Sequence, residues 1–167
     1  MPRHPLPQSK RSLPPQSKVA TMEHRRLGNA CYIRLDRDDE VLSSILRVCR
    51  DEGITSATYS GIGGCSDVEI AVFDPVERAF KTERVEGMLE MVSIIGSVIA
   101  GEDGDLHQHA HAQFSYIADG EHRMIGGHVK STTVRYTAEI ELRPVEGGSI
   151  GAGLDPETGT FLWRFDA

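Results

Sequence analysis

The dipeptide Asp119-Gly120 lies between two runs of residues that can pair as strands, and it constrains this chain more than any other feature. Asp-Gly supplies the two positive-φ residues that a two-residue hairpin turn requires. With these two as the loop, Ala118 faces Glu121, and counting outward His111 faces His128. Side chains alternate along a strand, so His109 and His111 share a face. Cross-strand partners share that face as well, with Cβ atoms about 5 Å apart. His109, His111 and His128 therefore converge on one spot. Imidazoles two strand residues apart, ~6.6 Å along the chain, can chelate one ion at bonds of about 2.0–2.1 Å. A third ring from the neighbouring strand completes a three-nitrogen site with an open position.

The other nearby histidines fit this geometry less well. His107 lies four residues before His111, roughly 13 Å along an extended strand, and could reach the ion only through a bulge or bend. His122 sits beside the turn and reads as a solvated polar residue. The register itself depends on Gly126-Gly127, where a bulge would shift the pairing by one. Imidazole suits Zn, Ni, Cu and Fe alike, so the pattern implies a divalent metal, with zinc the expected ion.

The hydrophobic pattern places these strands in an α+β domain. Gly28 to Leu35 reads as a first strand. Asp38 or Asp39 can cap a helix over about residues 39–52, whose apolar stripe is Val41, Leu42, Ile45, Leu46, Val48 and Cys49, with Gly53 ending it. Thr55 to Ile62 follows as a strand, then a glycine corner at Gly61-Ile62-Gly63-Gly64. That corner lacks the Lys-Ser/Thr and the helix of a phosphate loop, so its glycines serve a tight bend or close chain approach. Asp67 to Phe73 alternates, and Asp74-Pro75 turns the chain into Arg78 to Arg84. Met88 to Ile99 suits a central strand, and Gly101 to Gly104 turns into the histidine strand. Thr132 to Leu142 alternates strictly, and a last strand lies near Thr160 to Arg164. One helix among successive hairpins gives a mostly antiparallel sheet.

Charge separates residues 1–22 from the rest. This segment holds Arg3, Lys10, Arg11 and Lys18, five of the eight prolines and no acidic residue, and it reads as a disordered basic tail. Met22 is a candidate start. Residues 23–167 form a single expected domain in which 14 Lys and Arg stand against 25 Asp and Glu, a net charge of −11. Such a domain lacks the basic stripe that displaces counterions from nucleic acid. No run of 18 apolar residues exists to span a membrane, and the N-terminus has no secretory hydrophobic segment. Cys31, Cys49 and Cys65 are few, odd in number and widely spaced, as reduced thiols of a cytoplasmic protein are.

Several segments together resemble a known family. These are Tyr59-Ser60-Gly61-Ile62-Gly63, Val72-Phe73-Asp74, Gly87 to Gly96, the histidine strand and Ile125-Gly126-Gly127-His128. In order and spacing, from about Cys31 to Leu142, they resemble the plants-and-prokaryotes-conserved (PPC) domain. In plants that domain follows AT-hook motifs in nuclear proteins and carries Gly-Arg-Phe-Glu-Ile-Leu as an interaction motif. The matching residues here are Gly87, Met88, Leu89, Glu90, Met91 and Val92, which keep the Gly and the Glu but not the Arg and Phe. No Arg-Gly-Arg-Pro hook is present. The resemblance implies a homotrimer and, as in prokaryotic members, a metal site on His109, His111 and His128, with His107 outside the pattern.

Three functions stay open on these residues. A trimeric metal-binding module with a regulatory or DNA-associated role is the first. A zinc-water enzyme, a hydrolase or lyase acting on a small-molecule ligand, is the second, since an open position on three histidines can lower the pKa of a bound water toward ~7. Its accessory groups would come from His107, Glu90, Asp105 or Glu139. Direct nucleic-acid binding is the third, and the acidic charge opposes it.

Overall fold

A computed structural model describes residues 22–101, 104–157 and 159–165. The expected basic tail over residues 1–22 falls, except for Met22, outside the described residues. The α+β expectation holds: among the described residues one helix accompanies eight strands of a mostly antiparallel sheet. Among the described residues no helix is long and apolar enough to cross a membrane.

The chain begins with a hairpin rather than a single strand. β1 (Glu23–Leu27) turns at Gly28-Asn29, where Gly28 has φ +62°, into β2 (Ala30–Asp36). The sequence hides β1 because it is an exposed edge strand with no apolar alternation. Helix α1 spans Val41–Asp51, and its cap is Glu40 rather than Asp38 or Asp39. Those aspartates are tied to the sheet: Asp38 N–H donates to Val134 C=O and Asp39 C=O accepts from Val134 N–H, both at 2.9 Å. The longer Glu40 side chain instead folds back to accept from the Leu42 and Ser43 N–H groups, at 3.2 and 2.6 Å. At the other end Ile54 N–H bonds Cys49 C=O and Gly53 N–H bonds Arg50 C=O, while Gly53 sits at φ +65°. This pair of bonds is a Schellman termination, and glycine permits it.

Four long strands carry the rest. β3 (Ser56–Asp74) continues through the expected glycine corner, with register shifts against β4 between Gly61 and Gly63 and against β6 between Gly63 and Cys65. It does so because β3 lies unusually close to its neighbour: a Cβ on Gly61 would stand 2.5 Å from Glu139 O, and one on Gly63 2.8 Å from Thr137 O. Close approach is what these glycines permit. β4 (Ala79–Ala100) joins the two segments expected as Arg78–Arg84 and Met88–Ile99. β5 spans Leu106–Ala118, and β6 (Glu121–Pro144) unites the hairpin's return strand with the alternating Thr132–Leu142 run. β3 pairs with β4 and β6, and β5 also pairs with β4 and β6, so these four strands close a circuit. Val68, Ile70, Leu89, Met91 and Phe114 are fully enclosed in the core, where α1 adds Val41, Ile45, Val48 and Cys49. A second small hairpin, β7 (Gly151–Leu154) and β8 (Phe161–Arg164), follows.

Candidate metal centre

The turn has the geometry its residues dictate. Asp119 and Gly120 both have positive φ, +54° and +77°, as in a type I′ hairpin. From it the ladder runs unbroken through Ala118 opposite Glu121 to His111 opposite His128. No bulge intervenes at Gly126-Gly127. Ala110, Ala112 and Phe114 point into the core, so the odd-numbered residues of β5 point outward. On that outer face His109, His111 and His128 meet, with one nitrogen from each lying within 4.8 Å of the other two. Ring centroids are 5.2 Å apart for His109–His111, 4.7 Å for His109–His128 and 4.1 Å for His111–His128. The Nε2 atoms of His109 and His128 are 3.0 Å apart. Nitrogens sharing one ion at bonds of about 2.0–2.1 Å lie roughly 3.3 Å apart in tetrahedral geometry. The donor set thus fits a metal, and the His109–His128 pair already stands near that spacing.

His109 and His128 are half-buried and His111 is exposed, so the cluster has a protein side and a solvent side. Burial comes first in lowering both shifted pKa values, followed by the neighbouring imidazoles and Lys130; His128 falls from 6.5 to about 4. Both rings are therefore neutral near pH 7, with lone pairs available to a cation. The same shift sets a pH dependence. Between 6.5 and about 4 the unfolded chain binds a proton at position 128 that the folded chain does not, so stability falls as pH is lowered through that window. Thermal melts in chelator should show Tm dropping across it, and the slope should be shallower in His128→Gln. An identical slope in the two proteins would contradict this assignment.

One wall was not legible in the sequence. Phe80, from the far end of β4, sets its ring edge-on to His128 at 4.9 Å, and Lys130 Nζ lies 5.0 Å from the Phe80 centroid. Phe80 stands opposite Phe73 across the short β3–β4 turn, and it meets His128 because β3 pairs with the distant β6, Ala71 opposite His128, which no local pattern signals.

The proposed accessory residues lie elsewhere. His107 stacks on Phe161 of β8 at 3.9 Å and is outside the cluster. Glu90 is exposed on β4, opposite Gly64 and Ser115, and does not join the histidines. Asp105 and Glu139 do not join them either. Within Gly87 to Val92, Leu89 and Met91 enter the core, whereas Met88, Glu90 and Val92 face out.

Residues 22–146 match the family model of the Plants and Prokaryotes Conserved (PCC) domain, the family resembled above as PPC. The chain belongs to this family. The match ends before β7 and β8. Solved structures agree with the assignment. A plant- and prokaryote-conserved protein of Pyrococcus horikoshii is 26% identical, with a TM-score of 0.71 over 89% of this chain and 98% of that one. A protein of Archaeoglobus fulgidus described as metal-containing is also 26% identical, at a TM-score of 0.70 over 89% of this chain and all of that one. A Ralstonia eutropha protein, provisionally called DNA-binding, is 26% identical, at 0.73 over 85% and 95%. None of the curated proteins matches this chain in sequence.

Proposed function

We propose that this PCC-domain protein is a trimeric metal-binding module that holds a divalent ion, zinc, on His109, His111 and His128, and that it serves a regulatory or DNA-associated role. The observation that carries the reading is the convergence of one nitrogen from each histidine within 4.8 Å. The metal-containing description of the Archaeoglobus fulgidus relative supports it. No carboxylate joins the cluster among the described residues, which favours a module over a hydrolytic centre built on a general base. The enzyme reading keeps one supporting feature, the exposed His111 edge that leaves a coordination position accessible to a small molecule.

A second copy of the chain is the partner we assign to the groove of about 1200 Å³ where Tyr32, Ile62 and Ile95 stand exposed. Exposed apolar side chains gathered in one groove favour protein contact. The net charge of −11 over residues 23–167 argues that any DNA association is indirect. The buried free thiols of Cys31, Cys49 and Cys65 fit a reducing compartment, the cytoplasm, and burial pushes Cys49 up to about 12, which keeps it unreactive.

The test is the full chain purified without chelator. Elemental analysis should find one zinc per chain, and light scattering should give three times the 18.4 kDa chain mass. Metal far below one per chain after zinc addition would sink the metal reading, and a monomer would sink the trimer.

A further inference from the structure

The three histidines are not held alike. His111 pairs with Ile95 of β4 on one side and His128 of β6 on the other, and His128 pairs in turn with Ala71 of β3. His109 lies on residues 106–110 of β5, which pair with β4 alone because the ladder to β6 begins at His111. A segment bonded along one edge has fewer contacts to hold it. The β7–β8 hairpin, beyond the residues that match the family, packs against this segment. Phe161 stacks on His107, two residues before His109 and on the same face of β5. Trp163 shares the Phe161 side of β8 and donates its indole N–H to Ser97 Oγ at 3.1 Å. Ser97 is the β4 residue directly opposite His109. It points outward as Ile95 does, yet it is 7% exposed where Ile95 is 64% exposed. The outer face is therefore covered beside His109 and open beside His111.

We infer that Trp163 is a positioning residue for the metal centre, acting through Ser97 to preorganise His109, an inference that rests on the metal reading above. Cross-strand partners hold their Cβ atoms about 5 Å apart. A Ser97 side chain fixed by the indole and covered by it leaves the His109 ring fewer rotamers before any ion arrives. A ligand ordered in advance binds more tightly, because less ordering is left for binding to impose. His109 is the ligand that gains from this, since His111 and His128 are already held from both sides. The Phe161 stack on His107 fastens the hairpin over the same stretch of β5 without supplying a metal ligand. Such coupling is reciprocal: a hairpin that tightens zinc binding is itself steadied by zinc.

The test is zinc titration of the full chain against a chromophoric zinc chelator. An outer group that hydrogen-bonds a metal ligand is worth about 10–100-fold in affinity; here the link crosses a strand pair, so Ser97→Ala and Trp163→Phe should each weaken zinc by about three- to tenfold. Both should still reach one zinc per chain at saturation. The double variant should be no weaker than either single one, because both remove the same bond. Leu162→Ala, on the opposite side of β8, should bind zinc as the wild type does. Trp163 is the only tryptophan in the chain, so its fluorescence reports the hairpin directly. Zinc should protect it from acrylamide quenching in the wild type, and protect it less in Ser97→Ala. Wild-type affinity in Ser97→Ala or Trp163→Phe, additive losses in the double variant, equal weakening in Leu162→Ala, or wild-type quenching that zinc leaves unchanged would overturn this inference and leave the metal reading intact. A wild type that takes up no zinc would overturn both.

Discussion

Replacing His128 by alanine should remove stoichiometric zinc from the purified protein while leaving it folded. Structural zinc sites release about 10–16 kcal/mol from four ligands, or about 3–4 kcal/mol for each. Losing one of three nitrogens should therefore weaken binding by about 10²–10³-fold. His109→Ala should behave alike, because its Nε2 lies 3.0 Å from that of His128 and the two rings act on the same point. The fold should survive either change. His128 points outward from a ladder whose hydrogen bonds are made by backbone, and its ring meets Phe80, His109 and His111 on that outer face, contacts worth about 1 kcal/mol each. His107→Ala supplies the contrast: it belongs to the same strand, but its ring stacks on Phe161, and zinc content should stay at the wild-type level. Elemental analysis of the three variants decides the matter. Wild-type zinc in His128→Ala would refute the site, and zinc loss in His107→Ala would show that β8 and the metal centre are linked more closely than the geometry implies.

The histidine cluster was legible because everything that brings its three rings together is local. A two-residue turn fixes the register of β5 against β6 over the next eight pairs, and alternation then assigns each histidine to a face. The helix was legible for the same reason, with Val41, Ile45, Val48 and Cys49 recurring on one face and Gly53 closing it. Its cap was not, because Asp38 and Asp39 look like caps until β6 claims their backbone at Val134. β1 and β7 were missed as short outer strands whose pairing, rather than whose pattern, makes them strands. The length of β3, β4 and β6 was also hidden. Glycines at 61 and 63 read locally as a corner, whereas in the sheet they admit a neighbouring backbone. The closed circuit of four strands rests on pairs as distant as Ala57 with Pro144, and distance along the chain is what local patterns cannot carry.

The glycine before the third histidine joins fold and site, and Gly127→Ala should damage both. Gly127 has φ +152°, a conformation that favours glycine, and a Cβ there would lie 2.9 Å from Ala71 O and 3.0 Å from Ile70 Cγ2 and Val72 Cγ2. Backbone strain of about 1–3 kcal/mol and overpacking of about 1–3 kcal/mol act together, so a loss of about 2–6 kcal/mol is expected. Relief can come only by moving β6 away from β3. His128 is the next residue and pairs with Ala71 on one side and His111 on the other. Such a shift would pull its imidazole from the point it shares with His109 and His111, so zinc affinity should fall with stability. Gly126→Ala separates the two effects. It faces outward, has no positive φ and meets the flexible Gln113 side chain as well as Ala112 O, so its cost should be smaller. Urea denaturation in chelator gives the stabilities, and zinc titration of the folded proteins gives the affinities. Were Gly127→Ala as stable as the wild type, β6 would not be pressed against β3 at this point. The placement of the third ligand would then need another cause.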